Sequence, residues 1–236
     1  MFITNYHKSW KKFISRSDIV NELETIEKQI GKEIIDYFPK EENVLRFLSL
    51  DLSKIKYIIV GMEPYPSYYK INDEIIPEAT GRSFEVNSVT SWEQKFKQTS
   101  LRNILKTIYL NDFGEKITIQ ELRNKIIDKS FLIKNPKDWF LSLERQGILF
   151  LNATLTVKPN EVNSHTLLWT YFMTELIQYI EKENSEIIWL LWGKDAQNRV
   201  IPNLQKNNYI CSCHPRLAEF VDENCFQYTK NINWKG

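Results

Sequence analysis

Glu63 and Tyr65 lie in a short turn that two prolines make stiff. The turn follows an apolar, β-branched run over residues 57–60 and reads Gly61-Met62-Glu63-Pro64-Tyr65-Pro66. The run predicts a strand that is buried on both faces. Prolines fix φ and restrict the preceding residue, so the turn holds its side chains in place. Such a turn is suited to holding a carboxylate still beside a small planar substrate.

Three further apolar runs in the second half of the chain also predict strands. They span residues 147–152, 186–193 and 209–215. Helical patterns over residues 169–182 and 195–205 separate them, which indicates βαβ units. We therefore expect an α/β fold, a three-layer α/β/α sandwich around a central four-stranded, mainly parallel sheet.

Each predicted strand is followed by a residue that could contact a ligand. These residues are Glu63, Asn152, Gly193 with Lys194, and His214. Ligands bind beyond the carboxyl ends of the strands in open α/β sheets, so we expect all of them on one rim. A single histidine or a strand-terminal asparagine is more often structural, so only their joint occurrence indicates a site.

Composition is typical of an ordinary soluble protein. The chain has 236 residues, of which 42% are hydrophobic and 26% charged, with a net charge of +1 and three cysteines. The near-neutral charge gives no evidence for a nucleic-acid partner, and the odd cysteine count favours a reducing, cytoplasmic location. No signal peptide or membrane-spanning run is apparent. We expect one domain over residues 1–236, with residues 1–50 as a helical N-terminal portion packed on it.

Local patterns outside the strands predict helices and one long loop. Residues 9–49 read as amphipathic helices, and residues 67–100 read as an irregular loop of functional length. Ser100 is expected to cap the next helix, and residues 118–134 are expected to be weakly helical and peripheral. Lys95, Lys97 and Arg102, near Ser100, form either a phosphate-contacting patch or a solvated face.

The motifs resemble, in order, those of family 1 uracil-DNA glycosylases. The turn resembles the motif GQDPYH, residues 79–86 resemble A-x-G-L-x-F-S-V, and Ser100 begins a match to S-L-x-N-I. Residues 146–157 with Ser164 and His165 are similar to Q-G-V-L-L-L-N-x-x-L-T-V…S-H, and residues 190–197 to L-W-G-x-x-A-Q. His214-Pro215 heads a shortened H-P-S-P-L loop. The resemblance implies a monofunctional DNA-repair glycosylase that hydrolyses the N-glycosidic bond of uracil and leaves an abasic site.

The resemblance implies a role for each residue of the pocket, into which uracil is extruded from the helix. Asn152 would pair with O4 and N3–H of uracil, Phe84 would stack on the base, and the Met62 N–H would meet O2. Tyr65 would exclude the methyl group of thymine. Glu63 would stabilise the sugar cation and position the attacking water, and a neutral His214 would donate to O2. No metal or cofactor is implied.

The resemblance also implies contacts with DNA, single- or double-stranded, and a monomeric protein open to a proteinaceous glycosylase inhibitor. The implied DNA-binding residues are Ser67, Ser100, Ser164, His165, Gly193, Lys194, Arg216 and Leu217. Because the last loop is short, either Arg216 or Leu217 would be the wedge that fills the vacated base stack.

Departures from the motifs keep a second interpretation open. Met62, Glu63 and Pro66 stand where the motif has glutamine, aspartate and histidine, and Lys194 replaces a serine. The alternative is a non-catalytic homologue that binds DNA or a protein partner. Retention of four uracil-facing groups favours the enzyme, since a scaffold has no use for them.

The cysteines permit a metal site as a further alternative. Its ligands would be Cys211, Cys213, His214 and Cys225. The spacing lacks the paired C-x-x-C pattern of zinc sites, so buried strand cysteines that act as small hydrophobic residues are the favoured interpretation.

Overall fold

The computed structural model describes residues 2–229 and 231–236. Its α-helices are α1 (Lys11–Ile14), α2 (Ser17–Ile30), α3 (Glu41–Val44), α4 (Thr99–Phe113), α5 (Ile119–Ile127), α6 (Pro136–Arg145), α7 (Thr170–Glu183) and α8 (Lys194–Val200). Its strands are β1 (Tyr57–Gly61), β2 (Tyr68–Ile71), β3 (Glu74–Pro77), β4 (Ile148–Asn152), β5 (Ile188–Trp192) and β6 (Tyr209–Ser212). Among these residues no helix is long and apolar enough to span a membrane.

The central sheet has the order β4-β1-β5-β6, and every neighbouring pair is parallel. Its register pairs Gly61 with Asn152 and Trp192 with Ser212. The carboxyl ends of the strands therefore lie side by side, as βαβ connections require. The predicted four-stranded α/β/α fold is confirmed.

Helices cover both faces of the sheet because alternate strand residues point to opposite sides. Ile58 and Val60 pack into a cluster with buried residues of α2 and α7, and Ile59 packs into a second cluster with residues of α4 and α6. The N-terminal portion joins the first cluster, where the rings of Phe13 and Phe172 meet edge to face, 5.5 Å apart. Apolar burial on this scale is the main stabilising term of the fold.

Residues 67–100 contain a β-hairpin, β2–β3, which the prediction of an irregular loop missed. Asn72 and Asp73 form its two-residue turn with φ of 47° and 65°. Turns of this kind need positive φ and most often use glycine, but asparagine and aspartate tolerate that conformation. The absence of glycine concealed the turn.

Two smaller predictions are wrong. Helix α4 begins at Thr99 with Gln98 in the N-cap position, so Ser100 lies in the first turn and is not the cap. Cys211 is exposed, whereas only Cys225 is fully buried. Strand β6 is an edge strand, and this leaves the Cys211 side chain in solvent.

Candidate active site

The ends of β1 and β4 approach each other closely at Gly61 and Asn152. A Cβ atom on Gly61 would lie 2.6 Å from Asn152 Oδ1 and 2.6 Å from the Cβ of Ser83, so only glycine fits. Asn152 is 3% exposed, at the floor of the rim. The Met62 carbonyl accepts a hydrogen bond from Thr154 N–H (3.0 Å).

Glu63 is half-withdrawn from solvent and incompletely paired. Its Oε2 accepts a hydrogen bond from the backbone N–H of Asn163 (2.8 Å). Its Oε1 is buried with no hydrogen-bond partner among residues 2–229 and 231–236. Burial raises the pKa of the Glu63 carboxyl, and the Asn163 hydrogen bond and the charge of Arg199 oppose this shift. An acceptor without a donor is suited to holding a water molecule.

Phe84 forms one wall of the site in an unusual backbone conformation. Its φ is 65°, a left-handed value that a phenylalanine rarely adopts. Its ring centroid lies 5.3 Å from that of Trp192 and 6.2 Å from that of His214. Phe84 and Trp192 belong to the apolar cluster on the side of α4 and α6, and Tyr65 packs against that cluster. Burial raises the pKa of the Tyr65 phenol, which stays neutral.

A buried ion network holds the segment on both sides of Phe84. Arg82 donates to Glu144 through Nε and Nη2, both at 2.8 Å, and to Glu85 through Nη1 at 2.7 Å. Arg46 donates to the same Glu144 carboxylate. Burial alone would raise the pKa of the Glu144 carboxyl, but the hydrogen bonds from Arg82 and Arg46 hold that pKa below its usual range. The network fixes Arg82 and Glu85, and so constrains Ser83 and Phe84, which lie between them.

His214 presents a defined tautomer to the site. Its Nδ1 accepts a hydrogen bond from the backbone N–H of Arg216 (3.0 Å). Burial, and then the charge of Arg216, lowers the pKa of the imidazole, so the ring is neutral at pH 7. With Nδ1 acting as acceptor, the proton resides on Nε2, which is a donor.

Gly193 makes room for this histidine. Its φ is 98°, and a Cβ atom there would lie 2.8 Å from the Cβ of His214. Its carbonyl accepts from Gln197 N–H as α8 begins, and Lys194 is exposed in the first turn of that helix. The loop and His214 are therefore packed as one unit.

The loop after His214 projects into solvent. Arg216 is exposed, and Leu217 is 45% exposed. Asn103 of α4 anchors this loop, because its Nδ2 donates hydrogen bonds to Pro215 O (2.7 Å) and Leu217 O (3.0 Å).

The remaining predicted DNA-binding residues differ in their exposure to solvent. Ser67 is exposed and Ser100 is half-buried. Ser164 Oγ accepts from Lys158 N–H, which shapes its loop. His165 is buried, with its Nδ1 3.0 Å from the Thr156 hydroxyl, so it lies beneath that loop and not on it. Their roles in DNA binding stay predictions.

Sequence reasoning missed Asn163, Asn103, Arg199 and Glu144. Asn103 lies within the S-L-x-N-I match, and Asn163 directly precedes the matched Ser164, so both could have been found. Arg199, which donates to Thr154 Oγ1 (2.9 Å), and Glu144 carry no such signal. Both act through residues far away in sequence.

Comparisons with known proteins agree with this geometry. The family model described as "Uracil DNA glycosylase superfamily" matches residues 49–232. The "Uracil-DNA glycosylase" of Lachnoclostridium phytofermentans is 33% identical over 165 residues, which are 69% of this chain and 60% of that protein. The protein of the same name from Buchnera aphidicola is 32% identical over 73% of this chain and 65% of its own length. The chain thus spans less than two thirds of the length of these curated relatives.

Solved structures show the same fold. The wild-type UNG crystal structure from Nitratifractor salsuginis has a TM-score of 0.70 and 21% identity, and covers 92% of this chain and 87% of its own. A mimivirus UNG variant in complex with UGI has a TM-score of 0.67 and 21% identity, and covers 91% of this chain and 72% of its own.

Proposed function

The chain belongs to the uracil DNA glycosylase superfamily, and we propose that it is a monofunctional glycosylase that hydrolyses the N-glycosidic bond of uracil in DNA. One observation carries the proposal. The carboxyl rim of the sheet carries Asn152 at the end of β4 and His214 after β6, with the Phe84 ring 6.2 Å from the His214 ring. Glu63, which follows β1 at the same rim, has an unpaired buried oxygen. This set provides a base-reading amide, a stacking ring, a donor for a leaving anion and a group to hold water.

Uracil would be read by the floor and one wall of the site. The Asn152 side chain offers both a donor and an acceptor, the pattern that O4 and N3–H require. The Met62 N–H would donate to O2, and Phe84 would supply a π-face for the pyrimidine. Tyr65 occupies the place of a 5-methyl group, and so thymine would be excluded.

Bond cleavage would separate a uracil anion from an oxocarbenium-like sugar. The electron pair of the bond between C1′ and N1 moves to uracil, where the negative charge spreads to O2. The Nε2–H of neutral His214 donates to that oxygen and stabilises the charge. Ionised Glu63 stabilises the sugar cation and orients the water that adds to C1′, accepting its proton as the bond forms.

Exposed residues around the rim would contact the DNA. We propose that either Leu217 or Arg216 fills the vacated base stack. Exposed Ser67 and Lys194, with half-buried Ser100 and Ser164, would contact the sugar-phosphate backbone. We also propose a cytoplasmic monomer of one domain, including residues 1–50, without a metal or cofactor. Because a mimivirus neighbour was solved with UGI, we propose that a proteinaceous inhibitor can bind the same rim.

The experiment is a gel assay with matched oligonucleotides that carry uracil or mismatched thymine, followed by alkaline cleavage of abasic sites. We expect excision of uracil and none of thymine. Asn152→Asp should weaken uracil excision because it inverts one hydrogen bond, and Tyr65→Ala should admit some thymine excision. Equal removal of both bases by the wild type would refute the assigned pocket. DNA binding without any excision would identify a non-catalytic homologue instead.

A further inference from the structure

Positive charges are concentrated where α4 meets α5. Arg102 and Lys106 lie one helical turn apart on α4, and Arg123 lies on α5. Burial, and then the charge of Arg102, lowers the pKa of both Lys106 and Arg123. Like charges within electrostatic reach destabilise one another unless an anion lies among them.

Arg123 is the buried member of this cluster. It is 7% exposed, and its Nε is buried with no hydrogen-bond partner among the described residues. Its guanidinium carbon lies 5.3 Å from the centroid of the Phe96 ring, which positions the group without neutralising it. A buried donor without an acceptor is costly, and no described carboxylate forms a salt bridge with this guanidinium.

None of the three cations forms a salt bridge in the part of the chain that the structure describes, although Lys106 shares a cleft with Lys116, Glu219 and Asp222. Arg102 donates to the Thr99 hydroxyl (2.8 Å), which is neutral. Nearby Lys116 shows the contrast, because it pairs with Asp222 at 2.9 Å. Arg102 and Arg123 therefore keep their charge available to an external anion, and Lys106 adds to the positive charge beside them.

The cluster also lies beside the loop that projects toward solvent. Asn103, between the two cations of α4, is the residue that holds Pro215 and Leu217 by their carbonyl oxygens. A ligand that contacts Arg216 and Leu217 thus passes close to the cluster. DNA bound at the rim would present phosphates there.

We propose that Arg102, Lys106 and Arg123 form a binding site for a phosphodiester group of the DNA backbone. The inference rests on the proposed function, since it takes DNA as the ligand. Arginine forks match the oxygens of a phosphate, and lysine adds a point charge. The site extends the DNA-binding surface beyond the residues that the motifs imply.

The test measures the affinity of the wild type and of Arg123→Met for a fluorescent, undamaged duplex at several salt concentrations. Methionine keeps an apolar contact with Phe96 and removes the charge. We expect about a tenfold rise in Kd at low salt and a salt slope that is shallower by about 0.9 per lost phosphate contact. The unfolding temperature should not fall, because an unpaired buried charge has been removed.

Lys28→Gln is the matched control, since it removes one charge from an exposed position on α2, across the sheet. It should leave the Kd and the salt slope unchanged. Arg102→Gln, at a half-buried position, repeats the test if Arg123→Met does not fold, and it should also raise the Kd and flatten the slope.

Wild type that excises uracil, together with cluster variants of unchanged affinity and slope, would overturn this site and leave the proposed function intact. A wild type that neither binds nor excises would overturn both. Inorganic phosphate is the second probe. If the variants lose its binding but keep their affinity for duplex, the site holds a free anion and the DNA assignment is wrong.

Discussion

Glu63 and Glu144 are both withdrawn from solvent, but the protein surrounds them in opposite ways. Glu144 receives hydrogen bonds from two arginines, and its pKa is held low. Glu63 receives one backbone hydrogen bond, keeps an unpaired oxygen, and has a raised pKa. The full pairing of Glu144 indicates a structural role, and the incomplete pairing of Glu63 supports the chemical role that we propose for it.

The largest effect is expected when the charge of Glu63 is removed. Glu63→Gln keeps the shape of the side chain but cannot stabilise the sugar cation or accept the proton of the water. Uracil excision should fall by about 10²–10⁴-fold in single-turnover assays, whereas DNA affinity should barely change. Because the lost charge is poorly paired, the unfolding temperature should not drop. Full activity in this variant would remove Glu63 from the mechanism.

Glu144→Gln should have the opposite effect to Glu63→Gln and lower stability more than excision. The change leaves Arg82 and Arg46 without their shared carboxylate, and so stability should fall by about 3–5 kcal/mol in chemical denaturation. The control is Glu183→Gln, which removes a more exposed partner of Lys12 and should cost less than about 1 kcal/mol. A Glu144→Gln variant as stable as the control would show that the network contributes little.

Glu63→Asp tests whether the longer side chain suits this turn. The carboxylate of Glu63 can reach the position that a shorter acid and a histidine would fill together, and Pro66 cannot hold water for a retracted carboxylate. Excision should therefore be slower than in the wild type, by less than in Glu63→Gln. If Glu63→Asp excised uracil faster than the wild type, the glutamate would impair catalysis relative to an aspartate, and this would favour the non-catalytic interpretation.

The smallest expected effect is a difference between the pH dependence of excision and that of the unfolding temperature. The raised pKa of Glu63 means that its ionised form, and with it excision, is lost as the pH falls through that raised value. The lowered pKa of Glu144 means that its contribution to stability is present above the ordinary value of 4.5 and is lost only as the pH falls through the lower folded value. Excision should thus decline before the unfolding temperature does. Parallel rate and melting profiles check this, and a simultaneous decline would contradict it.

The sheet and its rim could be predicted because their signals are local. Buried apolar runs mark strands wherever they occur, and parallel strands bring their carboxyl ends together. The residues Asn152 and His214 followed from that rule. The hairpin β2–β3 could not be predicted in this way, because Asn72 and Asp73 of its turn adopt a positive φ that is most often found at glycine.

The ion network could not be predicted, since its partners are distant in sequence. Glu144 lies 62 residues from Arg82 and 98 from Arg46. No short pattern encodes such a contact, and each residue alone reads as an ordinary surface charge. The left-handed φ of Phe84 is equally invisible, because tertiary contacts impose it against the preference of the residue.

The network beneath Phe84 also limits which single substitutions this segment can tolerate. Arg82 and Glu85 stand where the pattern A-x-G-L-x-F-S-V has leucine and serine. Arg82 introduced into a background without Glu144 would have been a buried charge with too few partners, which costs several kcal/mol. Arg82 therefore depends on the acid at position 144 as well as on Glu85. The family's residues cannot be grafted here singly, and an ancestral reconstruction of this segment has to exchange the whole charged set at once.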